Sequence, residues 1–514
     1  MRQEDRSGNG WVLPPSGIPR YNRIALLGAT RQRILHGALV LPAALYACAC
    51  AVPLGPGYQI QKQEIRVRFD ASGSPAARVE AEYQLKNTGN QPLSSLDVRL
   101  PGKSVHTGGL AVSWDSETLP LERSAANPRD MTFKLPKPWA MAQSHTLRIV
   151  FEIQEPADGE RGLRFTQDAF FLPQGNWSPA LLPPRGFLAS GGTPPTKWNL
   201  AVTVPRSFRL HMSGKGPKRS QRDGEATFRS QQRLQDRNPF VVAGRYLETA
   251  INGGNRKVFL WTHAKPGAKT IRESSESLIR ALGAYDEAFG LRGKGHQPLW
   301  IVECPEAEGC FTGRNAPYAK LLGLSEGTST AEMMSLDTVL VGQQERGTKI
   351  AVAAVPFLAA SWLGYGRNPG LFEQQPPLSA FPIYAAGLGR EAVEGTAVRG
   401  EMIRNALSEI PTVAAKGAPE STETIRAKSF LFFFALRDRY GEAVFQKAIQ
   451  HMLSARQGKG FNLDDLIAAF EEETHQNVAQ FVRLWMKHPG VPEDFRTRYE
   501  GKTTAEVSPK EREP

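Results

Sequence analysis

Apolar residues recur at every second position through the first half of the chain: Ile65, Val67, Phe69; Val79, Ala81, Tyr83, Leu85; Leu96, Val98, Leu100; Leu147, Ile149, Phe151, Ile153; and Leu200, Val202, Val204. Alternation with period two sends successive side chains to opposite faces, so each run predicts a strand with one face in a core and the other in water. Turn-forming clusters separate the runs, as in Ser72-Gly73-Ser74 and Asn87-Thr88-Gly89-Asn90. The stretch from Tyr58 to about Leu247 therefore reads as an antiparallel β-domain, assigned to residues 55–250. From about Lys269 the period lengthens. Ile271, Leu278, Ile279, Leu282, Tyr285 and Phe289 mark one face of a helix that should stop at Gly290, and Leu299 to Val302 reads as a short strand. Helical spacing returns in three later stripes: Val444, Phe445, Ala448, Ile449, Met452, Leu453; Leu463, Leu466, Ile467, Phe470; and Val478, Phe481, Val482, Trp485. Such stripes are core faces. The expected class is α+β, a β-domain followed by a mostly helical domain over residues 251–500, with a charged tail at 501–514.

Upstream of the strands, Arg31-Gln32-Arg33 precedes an apolar run from Ile34 to Leu54, broken by His36 and Pro42 and rich in small residues near its end. A basic flank, an apolar stretch and a small-residue exit predict an export signal or membrane anchor over residues 1–54. The mature domain is then expected outside the cytoplasm, in the periplasm or cell envelope. Leu45-Tyr46-Ala47-Cys48 resembles a bacterial lipobox, which would make Cys48 an acylated N-terminus. Cleavage near Ala49-Cys50-Ala51, or retention of the whole segment, stays open as well.

The chain has 514 residues and a formal charge of +12. Six arginines against two acids lie before the apolar run, so part of that excess belongs to the leader. The remaining cations are scattered among acids and form no stripe along a phosphate backbone, which argues against a nucleic-acid partner. Only Cys304 and Cys310 lie outside the leader, and their spacing permits either a small disulfide-closed loop or two buried thiols.

Several phrases, taken in order, resemble the gluzincin zinc aminopeptidases, the membrane alanyl aminopeptidase family. They are Leu85-Lys86-Asn87-Thr88-Gly89-Asn90, Gly175-Asn176-Trp177-Ser178-Pro179, Val241-Val242-Ala243-Gly244-Arg245-Tyr246, Val302-Glu303-Cys304-Pro305, Ala359-Ala360-Ser361-Trp362-Leu363-Gly364 and Pro489-Gly490-Val491-Pro492. The resemblance covers about residues 58–500 and implies a thermolysin-like helical domain. Chemistry in that family needs zinc held by two histidines one helical turn apart and by a glutamate on the next helix, with a second glutamate as general base. The resemblance places Pro356 and Ala360 at the two histidine positions, Phe357 at the base and Ser379 at the third ligand. It places Arg426, in Arg426-Ala427-Lys428-Ser429, at the tyrosine that stabilises the transition state, and Arg314 at the glutamate that binds a substrate's amine.

The composition leads to the same point without the resemblance. The nine histidines are His36, His106, His145, His211, His263, His296, His451, His475 and His488, and no two are four apart. Pro356 lacks a backbone donor, so a helix through it must begin or bend there. The stretch from Val352 to Leu363 reads as a buried apolar segment, and what remains of a cleft would have an apolar floor of Phe357, Leu358 and Trp362 beside Arg314 and Arg426. The expected function is an exported, non-catalytic homologue of zinc aminopeptidases that binds a peptide or protein or serves as a scaffold, with no cofactor. The alternative is a hydrolase with residual or unrecognised peptidase chemistry, for which Ser361 and Ser379 are the visible hydroxyls. A third reading gives assembly to the β-domain, with the helical half as support.

Overall fold

The computed structural model describes residues 57–101, 105–123, 129–154, 163–173, 177–182, 197–214, 216–233, 239–254, 256–290, 298–304, 320–323, 331–335, 338–342, 353–355, 357–359, 376–411, 420–455 and 462–500. The leader, including Cys48, and the tail at 501–514 lie outside them.

The alternating segments form a large sheet in the order Lys218–Arg222, Glu225–Arg233, Lys197–Pro205, Tyr58–Asp70, Ala76–Asn87, Ser144–Gln154, Val105–Trp114, Glu117–Thr118. Ile65, Val67, Phe69, Val79, Ala81, Tyr83, Leu85, Leu147, Ile149, Phe151 and Ile153 are all buried on one face. They pack with Leu96 and Val98 of Leu93–Arg99 and with Met131 and Phe133 of Asp130–Trp139, which belong to a second, smaller sheet. Among the described residues the domain is antiparallel with one exception: Tyr58–Asp70 runs parallel to Lys197–Pro205, in register Gln63 to Trp198. Side chains alternate alike in both arrangements, so the period alone carries no information about direction.

The second half opens on a five-stranded sheet in the order Leu247–Asn252, Lys257–Thr262, Leu299–Glu303, Thr338–Val341, Ala331–Ser335. Leu247–Asn252 pairs with Lys257–Thr262 and crosses the expected boundary between residues 250 and 251. Lys257–Thr262, Leu299–Glu303 and Thr338–Val341 run parallel. A parallel connection needs a crossover, and helix α1, Ala268–Phe289, supplies it. Gly290 ends that helix in the left-handed region, with its N–H on the Asp286 carbonyl.

The face of α1 differs from the apolar stripe in one respect. Ile279 is 41% exposed, while Ser274 and Ser277 are buried beside Leu278, Ala281, Leu282, Tyr285 and Phe289. Residues three and four apart share a helix face, and Ile279, adjacent to Leu278, is turned away from it.

The long helices of the C-terminal part, among the described residues, are α2 (Phe381–Glu394), α3 (Ala397–Ser408), α4 (Thr422–Tyr440), α5 (Glu442–Ala455), α6 (Leu463–Thr474), α7 (Val478–Lys487) and α8 (Glu493–Glu500). Phe430 through Leu436 of α4 are all buried, as expected of a central helix hydrophobic on every side. The stripes on α5, α6 and α7 face the same core through Phe445, Ile449, Leu466, Phe470, Val482 and Trp485. Asn462 and Asp465 close a capping box at the start of α6.

A third cluster joins the β-half to the five-stranded sheet, with Ala169, Phe171, Phe240, Val242 and Tyr246 on one side and Trp261, Val302 and Leu340 on the other. The Tyr246 hydroxyl donates to the Glu303 carbonyl at 3.1 Å. Gly244 is required here, because a Cβ would lie 2.7 Å from the Tyr246 ring and 2.8 Å from the Asp168 carbonyl oxygen.

Candidate functional site

Residues 353–355 and 357–359 are helical, and Ala354, Val355, Leu358 and Ala359 are fully buried. Phe357 is half-buried against the same core, which also contains Phe381, Tyr384 and Phe433. This segment is clamped from below by α1. The Tyr285 hydroxyl donates to the Val355 carbonyl at 3.0 Å, and the ring lies so close to α2 that a Cβ on Gly389 would come within 1.9 Å of the tyrosine oxygen. Burial raises the Tyr285 hydroxyl well above the usual range, which keeps it a neutral donor.

Ser379 lies half-buried in the turn Leu378–Ala380, which packs on α4 and leads into α2. Arg426 sits half-buried near the start of α4, whose N-cap Ser421 accepts from the Thr424 N–H. Thus the segments carrying Phe357 and Ser379 meet in one core. Pro356, Ala360, Arg314, Trp362, Ser361 and Cys310 lie outside the described residues.

Proline, phenylalanine and alanine side chains carry no donor atom for a cation, and serine offers one neutral hydroxyl. The set Pro356, Phe357, Ala360 and Ser379 does not match the two imidazoles and one carboxylate that a catalytic zinc site requires. Among the described residues, no group of three or more His, Cys, Asp or Glu is placed to hold a metal ion. The histidines are dispersed: His145 is bonded to Asp115 on the β-half, His211 stacks on Trp300 at 3.9 Å, His451 lies 3.4 Å from Glu472, and His475 ends α6.

Charge gathers elsewhere among these helices, in groups that the sequence patterns did not single out. Glu391 of α2 accepts from Arg399 of α3 and from Arg437 of α4, both at 3.0 Å, and Arg437 also bonds Glu442 of α5. Burial works to raise Glu391, but the bonds and positive charge of Arg399 and Arg437 outweigh it and hold the carboxyl below its ordinary value. Buried Lys428 donates to Glu420 at 3.3 Å, to the Met486 carbonyl at 3.1 Å and to the His488 carbonyl, tying α4 to the end of α7. Neither group leaves a local signal in the sequence, because its members come from segments far apart in the chain. Cys304 is buried and disulfide-bonded.

No family model matches the chain, and no curated protein matches it. Solved structures do. An M1 zinc metallopeptidase from Deinococcus radiodurans superimposes with a TM-score of 0.53 at 17% identity, over 85% of this chain and 96% of that one. A variant of the Deinococcus radiodurans peptidase bound to a Tyr-Ser-Ala substrate gives a TM-score of 0.54 at 16% identity, over 85% and 95%. At such identity the likeness establishes a common fold: the chain has the two-domain architecture of the M1 zinc metallopeptidases, a β-domain followed by a helical domain.

Proposed function

We propose that this chain is an exported, non-catalytic relative of the M1 zinc peptidases that acts as a peptide- or protein-binding or scaffold module. The observation that carries the reading is chemical: Pro356, Phe357, Ala360 and Ser379, the residues that the resemblance assigns to the ligand and base positions, bring no imidazole and no carboxylate, and the neighbouring Leu358 and Ala359 are fully buried in hydrocarbon. Without a cation and a carboxylate base there is no route to the activated water on which zinc peptidase chemistry depends. A cleft with the family's outline can still take a peptide, as the Tyr-Ser-Ala complex of the Deinococcus radiodurans peptidase illustrates for that protein. Arg314, Trp362 and Arg426 are the residues assigned to contact such a ligand. Export through the leader, with Cys48 as acylation site and a Cys304–Cys310 loop, fits a cell-envelope location, and the disulfide at Cys304 supports an oxidising compartment.

The test combines metal analysis of the folded chain with assays on alanyl, leucyl and arginyl chromogenic substrates in the presence of zinc. The expected result is substoichiometric zinc and no chelator-sensitive turnover. Stoichiometric zinc with turnover would overturn the reading, and covalent capture of Ser361 or Ser379 by a fluorophosphonate would replace it with a serine hydrolase.

A further inference from the structure

The outer face of the large sheet is charged, and its charges are distributed unevenly. In its middle, cations and acids neutralise one another: Arg66 bonds Glu64 and Glu80, and Arg148 bonds Glu80 at 3.0 Å. Toward one edge the balance disappears. The edge strand Lys218–Arg222 is exposed at all five positions, and among the described residues none of Arg206, Lys218, Arg219 and Arg229 forms an ion pair. Arg219 instead covers the Phe228 ring at 5.4 Å and donates to the Arg206 carbonyl. Among the described residues Arg222 pairs only with Asp223, and both are almost fully exposed.

Register sharpens the point. Ala226, Phe228 and Ser230 are buried, so Glu225, Thr227 and Arg229 point outward, together with their cross-strand partners Arg222, Ser220 and Lys218. Lys218 and Arg229 therefore stand directly opposite each other on the water side, like charge against like. Such a pair destabilises a sheet. Beyond Lys218–Arg222 no strand pairs among the described residues, so its outward N–H and C=O groups have no ladder partner.

We infer that this edge takes an extended acidic polypeptide by strand addition. Main-chain groups of the incoming segment complete the ladder along Lys218–Arg222. Acidic side chains at alternate positions fall about 6.6 to 6.8 Å apart, the spacing at which Lys218, Ser220 and Arg222 share one face, and they relieve the Lys218–Arg229 repulsion. A lipid surface would use the cations alone. A strand uses the cations and the open main chain together, which is why the polypeptide is favoured. This surface lies on the β-half, and the inference does not depend on the cleft proposed above.

The experiment titrates the full-length chain, by fluorescence anisotropy at low salt, with a labelled peptide of about ten residues that alternates Glu and Thr, long enough for one strand. Comparison ligands are a peptide with its Glu and Thr in two blocks, one with proline replacing internal threonines, and vesicles of phosphatidylglycerol and phosphatidylcholine. Binding of the alternating peptide should weaken by about ten-fold or more in the charge-reversed double variant Lys218→Glu, Arg229→Glu. It should weaken less in Lys218→Gln, Arg229→Gln, with the circular dichroism of both variants matching the parent and the melting of neither lowered. The block and proline peptides should bind more weakly than the alternating one, and added salt should weaken all of them. Equal affinity for the proline peptide would overturn the inference, as would vesicle binding that the charge reversal abolishes while peptide binding is absent. So would a charge-reversed chain that self-associates when the parent ignores every peptide, because the cations would then serve to keep copies of the edge apart.

Discussion

On the water face of the large sheet, Glu80 meets Arg66 and Arg148 with side chains 20%, 46% and 49% exposed; among the helices, Glu391 meets Arg437 and Arg399 at 10%, 9% and 19%. The contacts have similar lengths but different surroundings. In water, an ion pair exchanges hydration for a partner of about equal worth, and the net contribution is small. In the helical core, removing one partner strands a charge where solvent cannot reach it, so the cost of breaking the group far exceeds the benefit of having made it. The same chemistry therefore acts as a surface property in one half and as a structural tie in the other. In this helical half the buried charge joins α2, α3, α4 and α5, while Leu358 and Ala359 are packed in hydrocarbon.

Breaking the buried group is the strongest test. Arg437→Met should destabilise the helical half by about 3 kcal/mol, read as a lower urea midpoint, because Glu391 and Glu442 lose a shared cation. The pH dependence has a defined sign. Glu391 is held below its ordinary 4.5, so its contribution is present at neutral pH and is lost as pH falls below 4.5 through the lower value of the folded state. Glu391→Gln should be less stable than the parent at pH 7, and the difference should shrink on acidification over that window. A gap that stays constant with pH would remove Glu391 from the argument.

Lys428→Met comes next, with an expected loss of about 2 kcal/mol in the same measurement, since two helix-end carbonyls and Glu420 lose a charged donor. Gly389→Ala should cost about 1 kcal/mol net. The methyl group must displace the Tyr285 oxygen and its bond to Val355, and the better helix propensity of alanine recovers only part of that. Smallest of all, Glu80→Gln should change stability by about 0.5 kcal/mol or less, with the difference fading in high salt. A Glu80→Gln effect as large as that of Arg437→Met would erase the distinction between the two halves.

Much of this was legible in the residue pattern. The alternation at Ile65, Val67 and Phe69 and the stop at Gly290 appear where the spacing places them. The parallel pairing of Tyr58–Asp70 with Lys197–Pro205 was not legible, because direction leaves no mark on a period of two. Ile279 misled because hydrophobicity alone cannot show which of two adjacent residues turns inward. The Glu391, Arg399 and Arg437 group was also hidden: its members come from three helices, and nothing local in the chain links them.

What the chain determines by itself is composition and period: which segments are strands or helices, that no His-x-x-x-His exists, and that Pro356, Phe357 and Ala360 carry no side-chain metal donor. Tertiary structure decided which charges are buried and which strand is left at an edge. Those outcomes depend on contacts between segments far apart in the chain, where burial and register arise only when separate elements pack.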